Sequence, residues 1–162
     1  MYHYLQFVFC QIGLLVQNSL CYYFVQNYLK IGRLLTLQER VFFLSLIGKD
    51  KEGLKIKKLL NHSKIKHKLL EDNSYKTSHK NRGHLDKKLI FRVDSEEPKK
   101  IKLLHKKIIL KFIKKNIKNF SSIIISDYNK GFFDKDLIKK ISIIFKNENK
   151  LIITNPKNRN IL

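Results

Sequence analysis

Alanine and tryptophan are absent from the 162 residues, and cysteine (2), histidine (6) and the acids (13) are scarce. Cys10 and Cys21 have a spacing that fits no zinc motif, and nothing around them demands a disulfide, so a reducing compartment is expected. The histidines are scattered without ligand spacing, and no metal site is expected. The shortage of acids leaves 34 Lys and Arg at a formal net charge of +21. Such a charge usually marks contact with nucleic acid or an anionic membrane surface. Here it accompanies an excess of Lys (29), Ile (21) and Asn (13), the residues that AT-rich codons favour. Much of the charge therefore reads as compositional drift on solvated faces. No stretch interleaves basic and aromatic residues as a base-stacking surface does, and nucleic acid is not the expected partner.

Charge is also missing from the start of the chain. None precedes Lys30, and residues 1–40 carry only Lys30, Arg33, Arg40 and Glu39. Residues 5–29 have about the length of a membrane helix. Gln6, Gln11, Gln17, Asn18, Gln26 and Asn27 interrupt that run, and each is costly in hydrocarbon. The basic flank of a signal peptide is missing as well. A buried segment is expected rather than a span, and the chain divides into an atypical apolar segment, 1–40, and a periodic part, 41–162.

The periodic part alternates. VFFLSLIG (41–48) is a short apolar run closed by glycine, a buried-strand pattern. A short helix with Leu54, Leu59 and Leu60 among lysines follows, and the lysine-rich 64–68 reads as a solvated face. KLIFRVDS (88–95) alternates, with Leu89, Phe91 and Val93 on one side, as in a half-exposed strand. Residues 100–120 space Ile101, Leu104, Ile108, Phe112 or Ile113, and Ile117 as a helix does. A strand at 123–126, an amphipathic helix at 134–145 and a strand at 151–154 complete the pattern. Strand, helix and strand in close succession make a right-handed βαβ unit and a parallel sheet, so the fold class is α/β.

Ligands of open parallel sheets bind outside the carboxyl ends of the strands. Two loops stand there. SDYNKG (126–131) carries Asp127, Lys130 and Gly131; NPKNRN (155–160) carries Lys157 and Arg159. Gly131 leads toward a helix whose first N–H groups favour an anion. Together the loops suit a phosphorylated ligand, and equally they read as ordinary turns with solvated lysines.

At these residues the chain resembles the ribokinase-like (PfkB) sugar kinases that phosphorylate D-glycero-D-manno-heptose 7-phosphate. IIISDYNKG is similar to that family's LSDYxKG segment, and TNPKNRN to its DPKGxD segment. Upstream, Gly48, Asp50 and Gly53 match the family's G-x-D-x-x-G turn, a structural element. Thr77, Lys80 and Arg82, then Arg92, Asp94 and Glu96, match its T-x-x-K-x-R and R-x-D-x-E segments. The resemblance covers 41–162 and implies the central part of a Rossmann-type α/β sandwich with a small β lid, to which residues 75–95 contribute. It implies phosphoryl transfer from ATP, with Mg²⁺, to the anomeric hydroxyl of heptose 7-phosphate, in the cytoplasm, toward ADP-heptose for lipopolysaccharide. Arg82, Arg92, Asp127, Lys130, Lys157 and Arg159 are the implied contacts to sugar phosphate and nucleotide.

The chain departs from the family in several places. The expected base is an Asp in a T-G-A-G-D-type motif, which would lie beyond residue 162. No Gly-Gly-x-x-x-Asn segment precedes Phe43; VQNYLKIGRLLTLQ stands there. Asn155 replaces the family's Asp before Pro, Asn158 replaces the Gly after Lys, and the Gln before the lid arginine is absent. Little or no turnover by the chain alone is therefore expected, with a homodimer or a complementing kinase half as possible partners. The alternatives are another PfkB-type sugar kinase, or a basic non-enzymatic protein that binds nucleic acid or membrane.

Overall fold

A computed structural model of the chain describes residues 5–10, 13–16, 40–85, 88–95, 97–127 and 131–156. Numbered over these, the strands are β1 (Leu5–Cys10), β2 (Gly13–Val16), β3 (Arg40–Gly48), β4 (Lys66–Asp72), β5 (Ser78–Leu85), β6 (Lys88–Ser95), β7 (Phe120–Asp127) and β8 (Leu151–Pro156). The helices are α1 (Lys51–His62), α2 (Leu103–Asn116, extended by a 3₁₀ turn, Ile117–Asn119) and α3 (Lys135–Asn147).

The fold is α/β. Five strands form a wholly parallel sheet in the order β4-β3-β1-β7-β8. Parallel strands covered on both faces need continuous apolar runs. β3 and β7 have them: Leu44, Ser45, Leu46 and Ile47 are all buried, as are residues 122–127. On one face α2 and α3 cover Leu44, Leu46, Ile123 and Ile125 with Ile109, Ile113, Leu137, Ile141 and Phe145. On the other, Ile56 and Leu60 of α1 pack on Ile47. Phe42 stacks on Phe112 at 5.2 Å between ring centroids, joining β3 to α2.

The second sheet is small, in the order β2-β5-β6, with β2 parallel to β5 and β5 antiparallel to β6. It is the lid. β1 lies at the centre of the large sheet, and β2 begins three residues after β1 ends. The lid therefore joins the body where Cys10 of β1 sits beside Ser126 of β7. From β1 the strand order runs one way through β3 and β4, and on its other side through β7 and β8. That junction is the topological switch point, where ligands of such sheets bind.

Several details differ from the sequence pattern. The lysine-rich 64–68 is not only a solvated face: its last three residues open β4, an edge strand paired with β3 from Phe42↔Lys66 to Gly48↔Asp72. α2 stops at Asn116 and Phe120 already belongs to β7. Its deepest positions are His105, Ile109 and Ile113, one residue along from the expected Leu104 and Ile108, and Leu104 is 64% exposed. On β6, Phe91 and Val93 are more than half exposed, so their side is not packed against described residues of this chain. Of the apolar run 5–29, residues 5–10 and 13–16 are strands, and the rest lies outside the described residues. Among the described residues no helix is long and apolar enough to cross a membrane.

Candidate functional site

The site is built on the carboxyl ends of the parallel strands. At the end of β3 the G-x-D-x-x-G turn is a hydrogen-bonded knot. Asp50 is the N-cap of α1 and accepts from the Gly53 N–H at 2.7 Å, satisfying a free donor of the first turn. Its second oxygen accepts from the Thr77 N–H at 2.8 Å, and the Thr77 hydroxyl accepts from the Gly48 N–H at 2.8 Å. Both glycines are needed for room. A Cβ on Gly48 would stand 3.0 Å from the Asp50 carboxyl carbon, and one on Gly53 3.2 Å from the Thr77 hydroxyl. Burial alone would raise the Asp50 carboxyl, but the N–H groups of Thr77 and Gly53 outweigh it and hold it below the ordinary value. The motif thus fixes the strand that opens the lid, since β5 begins at Ser78.

At the end of β4, Asp72 is held well below the ordinary carboxylate range by hydrogen bonds from Lys102 and from the Ser74 N–H. His105 approaches the same carboxylate, with Nε2 at 3.5 Å. The sequence carries no signal for this cluster, because Asp72 lies 30 residues or more from Lys102 and His105 and lysine is abundant.

The ends of β7 and β8 lie side by side, with Ser126 opposite Asn155 and Asp127 opposite Pro156. Both loops therefore leave from one rim of one sheet. Asp127 is 3% exposed, and Gly131 has φ +83°, a left-handed conformation that favours glycine. Lys130, Lys157 and Arg159 lie outside the described residues. The expectation that the following helix offers free N–H groups to an anion fails. Asp134 caps α3 by accepting from the Leu137 N–H at 2.9 Å, and Asp136 adds a second negative charge in the first turn.

In the lid, Arg82 and Arg92 are directly opposed across β5 and β6, as are Lys80 and Asp94. Nothing is described of the Arg82 side chain. Arg92 is half exposed and pairs with Asp94 on its own strand, Nε standing 2.9 Å from the carboxylate. Among the described residues no three His, Cys, Asp or Glu are grouped as metal ligands.

No protein-family model matches the chain. Over 130 residues, 80% of this chain, it is 35% identical to the bifunctional protein HldE of Aliarcobacter butzleri, and spans 27% of that relative's length. Over 117 residues, 70% of this chain and 35% of the relative, it is 36% identical to an uncharacterized sugar kinase of Buchnera aphidicola. Among solved structures, an E. coli protein described as a ribokinase II, in complex with ATP and Mg²⁺, matches with a TM-score of 0.60 over 96% of this chain and 54% of that one. At 11% identity that likeness carries the fold alone. Parallel sheet, lid and relatives agree: the chain belongs to the ribokinase-like carbohydrate kinases, as part of a kinase domain of the heptose kinase type.

Proposed function

We propose that this chain contributes the sugar-phosphate and nucleotide-phosphate rim of a cytoplasmic kinase that phosphorylates the anomeric hydroxyl of heptose 7-phosphate. The product would feed ADP-heptose synthesis for the lipopolysaccharide core. The observation that carries the reading is the register of β7 and β8, which brings the SDYNKG and NPKNRN loops to one rim beside the lid junction.

Catalysis of phosphoryl transfer is mostly positioning and charge neutralisation. Lys157 and Arg159 would neutralise nucleotide or sugar phosphate, and Lys130 would serve the same edge together with Asp127. ATP would supply the phosphoryl group, and Mg²⁺ would arrive with its phosphates. Arg82 and Arg92 of the lid would meet the 7-phosphate. Asp94 would keep the Arg92 guanidinium oriented until a phosphate exchanges for it, since Nε and Nη2 both donate to the carboxylate and a phosphate can accept from the same two donors. Asp127 holds the end of β7 from its buried position. The base that takes the sugar's proton is assigned to no residue of this chain; a complementing stretch of kinase chain would bring it.

Calorimetric titration with heptose 7-phosphate, with and without ADP and Mg²⁺, tests the proposal. Binding is expected, with little or no turnover of ATP. Arg92→Ala should weaken it about tenfold or more, the worth of a hydrogen bond to a charged group. Equal preference for another phosphorylated sugar would move the assignment to a different sugar kinase. No sugar-phosphate binding, with DNA binding that falls steeply with salt, would refute it.

A further inference from the structure

We infer that Gly131 is a positioning residue that latches the β7 loop to the stalk by which the chain leaves the lid, so that loop and lid move together. The stalk is residues 97–102, between β6 and α2. The buried Ile101 donates its N–H to the Gly131 carbonyl at 2.9 Å. The two backbones are packed without space between them. A Cβ on Gly131 would stand 2.6 Å from the Lys99 carbonyl carbon and 3.1 Å from Lys100 N. With φ at +83°, any other residue would also be strained.

A second tie runs parallel to the first. One turn into α2, Lys106 pairs with Asp134, the residue that caps α3. Directly after Gly131, Phe132 (0% exposed) and Phe133 (7%) anchor the far end of the loop in the core. The stalk is fastened on its other side too: Lys99 Nζ donates to the Ser74 carbonyl at 2.8 Å, and Lys102 pairs with Asp72 at 2.8 Å. The incoming stalk is tied elsewhere, through Thr77 to Gly48 and Asp50 at the end of β3. Among the described residues the outgoing stalk is tied to Gly131 by the Ile101 hydrogen bond. Displacement of the lid is therefore transmitted to Gly131, at the end of that loop. The latch takes its use from the kinase reading, but its existence does not depend on it.

Hydrogen exchange on the full chain, without ligand, tests the latch. Gly131→Ala should speed exchange of the Ile101 amide about tenfold, the loss of one net hydrogen bond. It should also speed exchange in β6, leaving β3 and β4 unchanged. Lys106→Met should produce a smaller change in the same peptides, and Lys106→Arg should restore the wild-type pattern. If Gly131→Ala does not fold, the Lys106 pair decides alone. Acceleration confined to Ile101 and residues 131–134, with β6 untouched, overturns the latch, as does acceleration spread evenly over the chain. In a second arm, heptose 7-phosphate should protect β6 and Gly131 together in the wild type and β6 alone in Gly131→Ala. Absence of any protection counts against the substrate, while the ligand-free arm still judges the latch.

Discussion

Asp50 serves two structures with one carboxylate: one oxygen closes the first turn of α1, and the other holds the strand that opens the lid. Asp50→Ala should destabilise the fold by about 1–2 kcal/mol, the range of a lost N-cap, measured by urea unfolding. Asp50→Asn should lose less, because the amide oxygen still caps. Titration sets the acid limb. Asp50 and Asp134 both have lowered values in the folded chain: burial opposes the shift, and hydrogen bonds from Thr77 and Gly53, or from Lys106 and Leu137, outweigh it. The folded chain thus keeps them ionised at pH values where the unfolded chain is protonated. The stability they give is complete above the unfolded value of about 4 and disappears as pH falls through the folded values. Asp50→Asn should flatten the decline of unfolding free energy below about pH 4; an unchanged slope would show that Asp50 titrates as in the unfolded chain.

At the scale of elements, burial separates residues of similar apolarity. Ile109 of α2 is fully buried among helix and sheet, so Ile109→Ala should cost about 2–5 kcal/mol. Phe91→Ser on the lid should cost under about 1 kcal/mol, since Phe91 is 56% exposed. Thermal melts of the two variants check the contrast. α3 was legible in its core face and to within two residues at its ends, because its stripe Leu137, Ile138, Ile141 and Phe145 is flanked by lysines and preceded by a capping Asp. α2 was legible as a helix, with Ile101, Ile113 and Ile117 buried as spaced, but Leu104 and Ile108 were misplaced: isoleucines and leucines sit on several of its faces, and the buried His105 interrupts the apolar stripe. β4 was hidden because an edge strand needs few buried residues, and only Leu70 of KHKLLED is buried. The strand ends from which the two loops leave were visible as apolar runs. The blocking of the α3 N-terminus was also written in the sequence, as Asp134 and Asp136, and the weight given to the glycine obscured it. The Asp72 cluster and the Gly131 latch had no local signal, since each joins segments some 30 residues apart in sequence.

For the molecule as a whole, a charge of +21 opposes compaction, and among the described residues most lysines are exposed. Raising NaCl from about 0.02 to 0.2 M shortens the Debye length severalfold, so the melting temperature should rise; a fall would mean that the ion pairs of Asp72 and Asp134 outweigh the repulsion. The central claim is that strands β7 and β8 present their loops to one cleft beneath the lid. Amide chemical-shift mapping of isotope-labelled protein during titration with heptose 7-phosphate tests it most directly. The account predicts shifts concentrated in residues 126–131, 155–160 and β6. Shifts scattered over the lysine-rich outer faces of α2 and α3, with those three stretches unmoved, would contradict it.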